Sequence, residues 1–420
     1  MSRAAYLRCE LPSPVGDRRY PRGVSATEMT RPPVVGATRP VSETATWRQV
    51  LRLTAPALVF LSVRGVGLLV LAWMAERNHR TVTAALTSWD GHWYLGLASG
   101  GYDGAPADLV DAHGRHNPDN LLAFFPGYPT VVRLFANLPG LSLVDAAFLV
   151  TVLSGLVCSY GLLRLGTRVT GGSRRAGLLL VALFAASPMA VTLSMTYSEA
   201  MFCALAAWAL VGVLERNWPL AGLCCAAAGL VRPTAGALVL AVGLAALVAI
   251  LRRQDGWRPW LGGLLAPLGL VGYLLWVASR TGRLDGWFEV QRQGWGSVFD
   301  GGGATIRFAL DALASGRSVL EVITVGLVVL AIALVVVCLR RGVQWPLVVY
   351  AVGVLAMDLG ANGLMNSKAR LMVPAFTLLL PIVVGLAKRR PGTVLLTVAS
   401  AAVASAWFGA YSLTAWPYAI

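Results

Sequence analysis

VITVGLVVLAIALVVVC, residues 322–338, contains no charged side chain. As a helix it would span about 26 Å at 1.5 Å per residue, close to the roughly 30 Å of bilayer hydrocarbon. One or two such runs would fit the interior of a large soluble protein. Comparable segments recur, however, at 52–75, 141–163, 176–193, 198–214, 219–231, 234–251, 259–279, 343–358, 371–387 and 391–413. That many would leave too few polar residues for a soluble surface. The segment 219–231 is short for a crossing and reads as half of a broken or re-entrant hairpin with 234–251 around Arg232-Pro233. The predicted fold is therefore all-α: a polytopic transmembrane bundle of about 10–11 helices over residues 51–420, preceded by a tail, 1–50.

Composition agrees. Hydrophobic residues make up 56% of the 420 and charged residues 13%, about half the roughly 25% of a soluble domain. The net charge is +15, which in a soluble protein would suggest nucleic acid. Here the basic residues fall in short clusters between apolar runs, which argues for orientation in a bilayer instead. Residues 1–50, with eight arginines and six prolines, read as a disordered basic tail. The first apolar stretch begins near Leu53, too far in for a signal peptide, so it is read as a retained helix. Cys158, Cys203, Cys224, Cys225 and Cys338 lie in apolar segments, Cys9 in the tail, and no CxxC pair suggests a zinc site.

The arginines set a direction. With the tail cytoplasmic, Arg164/Arg168/Arg174/Arg175, Arg252/Arg253/Arg258, Arg340/Arg341 and Lys388/Arg389/Arg390 all fall on the cytoplasmic side, as does Glu215-Arg216. The opposite side receives two long loops, 76–140 and 280–318, and the turns at Met195–Tyr197, Arg232–Thr234 and Asp358–Arg370. The first loop holds all four histidines (His79, His92, His113, His116) and Asp90, Asp103, Asp108, Asp111 and Asp119. Such a concentration of acid/base groups suits an enzyme working at the outer membrane surface. A scaffold would not need it.

Several motifs carry chemistry. In Ser88-Trp89-Asp90-Gly91-His92-Trp93-Tyr94, the plain account is an Asp near a helix start with aromatic residues in an interfacial belt. The functional account is a carboxylate general base at a cavity mouth, with Trp89, His92, Trp93 and Tyr94 around a sugar. Phe124-Phe125-Pro126-Gly127-Tyr128-Pro129 reads as a surface turn or a rigid groove lip. Glu199, after Thr196-Tyr197-Ser198, fits a helix first turn or a contact to substrate. Arg232 follows an uncharged run and either snorkels or meets a phosphate. Arg370, in Lys368-Ala369-Arg370, is a second cation on that side. Arg64, inside the first apolar segment, requires a partner that sequence does not name.

The ordered set of motifs resembles the PIG-V type mannosyltransferases, the family of the second mannosyltransferase of GPI-anchor synthesis. Trp89-Asp90-Gly91-His92-Trp93-Tyr94 with Ala98-Ser99-Gly100-Gly101-Tyr102 is similar to the family's first-loop signature. Phe124–Pro129, Thr196-Tyr197-Ser198-Glu199-Ala200-Met201-Phe202, Arg232-Pro233-Thr234-Ala235-Gly236 and Arg370-Leu371-Met372-Val373-Pro374-Ala375-Phe376 resemble later motifs, in family order over residues 89–376. Leu371 departs from the family's aromatic residue, and Gly91 and His92 are departures that bear on substrate fit.

The resemblance implies a GT-C-like bundle with extracytoplasmic loop helices. It implies a polyprenyl- or dolichyl-phosphate mannose donor, transfer on the external face, and Asp90 as catalytic carboxylate. The alanine-, glycine- and arginine-heavy composition resembles that of a high-GC actinobacterium, so the expected acceptor is a glycolipid, cell-wall glycan or protein rather than a GPI anchor. The expected reaction is a single inverting displacement, with Arg232, Arg370 and Lys368 holding the donor phosphate. Trp89, His92, Trp93, Tyr128, Tyr197 and Glu199 are the expected sugar, acceptor or base-orienting contacts. No cofactor is required; a divalent cation in the Asp/His-rich loop stays open, and no metal ligand is named. The expected location is the plasma membrane, multi-pass, with a cytoplasmic N-terminus. Rival readings are transfer of arabinose or glucose from its polyprenyl phosphate, a lipid or sugar transporter or flippase, and a non-catalytic subunit of cell-envelope synthesis.

Overall fold

The computed structural model describes residues 43–104, 106–316, 318–363 and 365–420. Residues 1–42, with Cys9 and most of the expected tail, lie outside the described residues. The last residues of that tail belong to a helix that begins at Glu43.

The described chain is helical throughout, apart from one isolated bridge between Phe299 and Ala361. In order it forms α1 (Glu43–Arg77), α2 (Val82–Thr87), α3 (Asp90–Gly100), α4 (Gly127–Ala136), α5 (Leu143–Arg168) and α6 (Arg174–Ala185). There follow α7 (Glu199–Leu214), α8 (Trp218–Gly229), α9 (Ala235–Leu251), α10 (Arg258–Leu265), α11 (Leu268–Thr281) and α12 (Gly286–Trp295). The last are α13 (Gly303–Ser315), α14 (Val319–Arg340), α15 (Trp345–Gly360), α16 (Lys368–Leu371), α17 (Leu380–Leu386) and α18 (Pro391–Thr414).

Each apolar segment of the sequence holds helix, but not all as simple spans. Among the described residues, five helices are long and apolar enough to cross a membrane: Trp47–Arg77, Leu143–Arg168, Arg258–Thr281, Val319–Arg340 and Pro391–Thr414. A sixth counts if Met365–Leu371 and Val373–Leu386, bent by 52° at their junction, form one span. Glu199–Leu214, Trp218–Gly229, Ala235–Leu251 and Trp345–Gly360 are shorter apolar helices. By length and composition, five or six of the expected 10–11 spans are long helices, and the other apolar segments form the shorter ones. The outer helices keep large apolar side chains exposed, including Leu69, Val329 and Leu395. In water these would be a liability, whereas hydrocarbon accepts them.

Local chemistry places the helix ends. Ser142, Ser173, Asn217 and Ser318 each accept a backbone N–H from the first turn of the helix that follows. Small residues then let helices meet closely. A Cβ on Gly166 would lie 2.5 Å from Gly177 Cα, so α5 and α6 touch backbone to backbone. A Cβ on Gly269 would lie 1.8 Å from Ala226 O, which holds α11 against α8.

The basic clusters gather at one end of the bundle. Arg164 and Arg168 bind Glu215 at 2.7 Å, Arg216 binds Asp255 at 2.7 Å, and Arg175 donates to Arg389 O at 3.0 Å. The other end carries the two long loops, both helical in part. Trp93, Tyr94, Phe124, Phe125, Tyr128 and Tyr273 form an aromatic core beneath them. Tyr273 OH shares its proton between Leu122 O and Phe124 O, at 2.8 and 2.9 Å, tying the first loop to α11. Gly127 N–H donates to Leu230 O at 2.7 Å, and any Cβ there would lie 2.8 Å from that oxygen. The Pro126-Gly127 turn therefore docks directly on the end of α8. Arg64 finds its partners in Ser194 Oγ, at 3.0 Å, and Ala185 O, at 3.1 Å.

Candidate active site

Asp90 begins α3, and Trp89 before it holds φ at +57°, a conformation rare for a bulky residue. The Asp90 carboxylate accepts from Arg370 Nη1 at 2.6 Å. Its backbone N–H donates to Tyr197 OH at 3.2 Å, which in turn donates to Ser88 O at 3.2 Å. The Arg370 guanidinium lies 5.3 Å from the centre of the Tyr197 ring, a cation–π contact. Gly91 is explained by packing rather than substrate fit, since a Cβ would lie 2.6 Å from Thr196 Oγ1. Three motifs distant in sequence thus meet at one carboxylate.

Beneath this pair lies a second. Glu199, fully buried, sits with Oε1 2.6 Å from Arg232 Nη1 and 3.7 Å from Arg370 Nε. Arg232 Nη1 also donates to Ser198 Oγ at 3.1 Å, and Ser198 Oγ is 2.7 Å from Tyr94 OH. Arg232 is 7% exposed, so it turns inward to Glu199 instead of snorkelling. The network holds two carboxylates and two guanidiniums and is formally neutral. Neutrality is what makes it tolerable away from water.

Asp90, Arg232 and Arg370 line one cavity of about 590 Å³. Its walls come from α9, α11, α15 and α12 of the second loop, with Trp287, Phe288 and Trp295 among the aromatics. The strap Val298–Asp300 closes one side. Asp300 N–H donates to Gly360 O and Asn362 N–H to Val298 O, both at 2.9 Å. The acids on α12 and before it are paired locally. The Arg283 guanidinium holds the Asp285 carboxyl below the usual range, and Arg292 does the same to Glu289. They add no unpaired negative charge to the rim.

Lys368, expected on the donor phosphate, lines the cavity but donates to Asp358 O at 2.5 Å and Ala361 O at 2.8 Å. Its ammonium closes the C-terminal end of α15. The expected sugar contacts are placed elsewhere. His92 and Trp89 point to the exterior of α3. Trp93 is buried and stacks on Phe124 at 5.4 Å. Tyr128 OH donates to Ala147 O at 3.1 Å and meets Thr151 Oγ1 at 2.9 Å. Tyr197 and Glu199 lie wholly buried under the cavity. None of these six lines it; Tyr197 and Glu199 support the groups that do. The first-loop acids do not form a cluster either. Asp111 accepts the backbone N–H groups of His113 and Arg115. Among the described residues no three His, Cys, Asp or Glu side chains gather as a metal site.

Asp358 and residues of α12 line the cavity without being among the expected site residues. The alternation of aromatic and charged residues in Gly286–Trp295 was a legible amphipathic signal. So was an acid inside the apolar run 343–358.

No family model matches this chain. No curated protein matches it either. Among solved structures, a crystal structure of ArnT from Cupriavidus metallidurans in the apo state aligns with TM-score 0.48 and 17% identity, over 84% of this chain and 63% of that one. The chain spans less than two thirds of that protein's length.

Proposed function

We propose that this protein is an inverting glycosyltransferase that moves a sugar from a polyprenyl-phosphate donor to a cell-envelope glycolipid, glycan or protein. The convergence of Asp90, Arg232 and Arg370 on one aromatic-walled cavity supports this reading. It sits at the end of the bundle opposite the basic clusters, and the positive-inside tendency makes that end extracytoplasmic. The protein is then a multi-pass plasma-membrane enzyme with a cytoplasmic N-terminus.

In the mechanism, the donor phosphate meets Arg232 and Arg370, whose guanidiniums suit phosphate oxygens. Both side chains have a buried Nε without a hydrogen-bond partner among the described residues. The phosphate's negative charge competes with Asp90 for Arg370, loosening that pair and freeing the carboxylate to act as base. Asp90 takes the proton of an acceptor hydroxyl as its oxygen bonds to the anomeric carbon. The bond from that carbon to the phosphate oxygen breaks, and polyprenyl phosphate leaves as an anion. One displacement turns a β-linked donor into an α-linked product. Because the leaving group is already a stable anion, no strong general acid is required.

The sugar is left open by the site. The resemblance of the sequence motifs favours mannose, and arabinose or glucose on the same lipid fits the same hydroxyl-binding groups. Membranes carrying the protein, incubated with labelled polyprenyl-phosphate mannose, arabinose and glucose, test both points. The native chain is expected to transfer one of them. Asp90→Asn is expected to lose transfer by 10²-fold or more while remaining inserted. Near-normal transfer by that variant would remove Asp90 from the base role. A flippase would move lipid with no glycosidic product.

A further inference from the structure

One polar feature of the cavity has no part in the mechanism above. Asp358 is buried near the end of α15, its side chain 2% exposed, and both its carboxylate oxygens lack a hydrogen-bond partner among the described residues. Ser367, also buried, has an unpartnered Oγ. Both residues line the cavity that holds Asp90. The nearest cation does not satisfy the acid. Lys368 Nζ is 3.9 Å from Asp358 Oδ1, beyond hydrogen-bonding distance, and donates instead to the Asp358 and Ala361 carbonyls. A buried carboxylate with unmet acceptors is unfavourable and calls for donors from a molecule in the cavity.

The chemistry narrows that molecule. A carboxylate only accepts, while a serine hydroxyl donates and accepts. A phosphate would be repelled by Asp358, and a cation by the adjacent Lys368 and Arg370. Neighbouring hydroxyl groups meet both requirements, one donating to Asp358 and another exchanging with Ser367. Trp287 and Trp295 in the same wall offer faces for a sugar ring. We infer that Asp358 and Ser367 form a subsite that reads the hydroxyl groups of a sugar held in the cavity, an inference that rests on the transferase reading. The cavity then offers two kinds of contact, guanidiniums for phosphate and a carboxylate with a serine for hydroxyls.

Asp358→Asn and Ser367→Ala, made separately in the full chain, test this by ligand-induced thermal stabilisation in detergent. The probes are bare polyprenyl phosphate, polyprenyl-phosphate mannose, glucose and arabinose, and a lipid-free methyl glycoside added over saturating bare lipid phosphate. In the native chain, at least one sugar-bearing probe should bind more tightly than its sugar-free reference. Asp358→Asn should weaken that probe about ten-fold and leave bare polyprenyl phosphate within two-fold. Loss confined to the sugar-bearing lipids assigns the subsite to the donor sugar. Loss confined to the methyl glycoside assigns it to the acceptor. Equal weakening of bare polyprenyl phosphate, unchanged binding of every probe, or no sugar-dependent gain in the native chain would overturn the inference. Should Asp358→Asn not fold, Ser367→Ala decides by the same criteria with a several-fold effect. If native protein binds sugar in this way yet transfers none, the subsite stands and the transferase reading falls. If it transfers sugar and both variants bind as the native chain does, the reverse holds.

Discussion

Glu199→Gln isolates what holds the buried charges together. Glu199 Oε1 is 2.6 Å from Arg232 and 3.7 Å from Arg370. At an effective dielectric of about 20, those separations correspond to gross attractions of roughly 6 and 4 kcal/mol. Most of that offsets the hydration all three groups gave up, and breaking a buried pair by removing one partner costs about 3–5 kcal/mol net. The amide is isosteric, so packing is preserved, yet Arg232 loses its counter-charge and Arg370 keeps only Asp90. The expected result is a fall of about 3–6 °C in the unfolding temperature of the purified protein, followed by size-exclusion fluorescence after heating. Adding Arg232→Gln to Glu199→Gln should recover about half the loss, because the uncompensated cation is gone. An unfolding temperature for Glu199→Gln within 1 °C of native would refute the idea that this carboxylate holds the two guanidiniums. A double variant showing simply additive losses would refute the coupling.

Three further outcomes follow from the geometry. Tyr128→Phe should leave sugar-transfer kinetics within two-fold of native and cost about 1 kcal/mol of stability, since its hydroxyl bonds Ala147 and Thr151 outside the cavity; a ten-fold rise in KM would place it in the site. Gly269→Ala should push α11 off α8, which leads into Arg232, and cost about 1–3 kcal/mol, seen as lower yield of monodisperse protein and weaker transfer. The pH behaviour of the first loop follows from Asp111. Burial raises its pKa, but the backbone N–H groups of Arg115 and His113 and the Arg115 guanidinium outweigh burial, and the net direction is down. A depressed carboxyl stabilises above its unfolded value and loses that contribution as pH falls through the folded one. Protection of the 111–117 amides, corrected for intrinsic exchange rates, should therefore stay flat from pH 8 to 5 and fall only below about pH 4. A loss already at pH 6 would refute the role given to the Asp111 carboxylate.

The fold was largely legible because hydrocarbon imposes so blunt a requirement. Long uncharged runs such as 322–338 can do little else, and the basic clusters fell together at one end as their spacing implied. Asp90, Arg232 and Arg370 stood out because charge near an apolar run needs a reason, and the structure brings all three to one cavity. Direction within the site was not legible. Whether Trp93 or Tyr128 faces a cavity or a core depends on how α3 and α4 rotate, and aromatic residues serve both environments. Lys368 resembled Arg370 in sequence, but a helix end at Gly360 leaves carbonyls unmet and the nearer cation closes them. The second loop has no continuous apolar run, so nothing in its sequence marks α12 as a cavity wall.

The contact between Asp90 and Arg370 joins positions 280 residues apart. Ribosomes make the acid 280 residues before the guanidinium, so the first is in place while the intervening helices are still being made. A nascent chain halted before α16 would carry its acid with no guanidinium facing it. Such a fragment would lack the ion pair that fixes the Asp90 carboxylate, whatever number of helices it had already inserted. The pair can therefore form only after α16 has been made, late in the order in which the helices emerge.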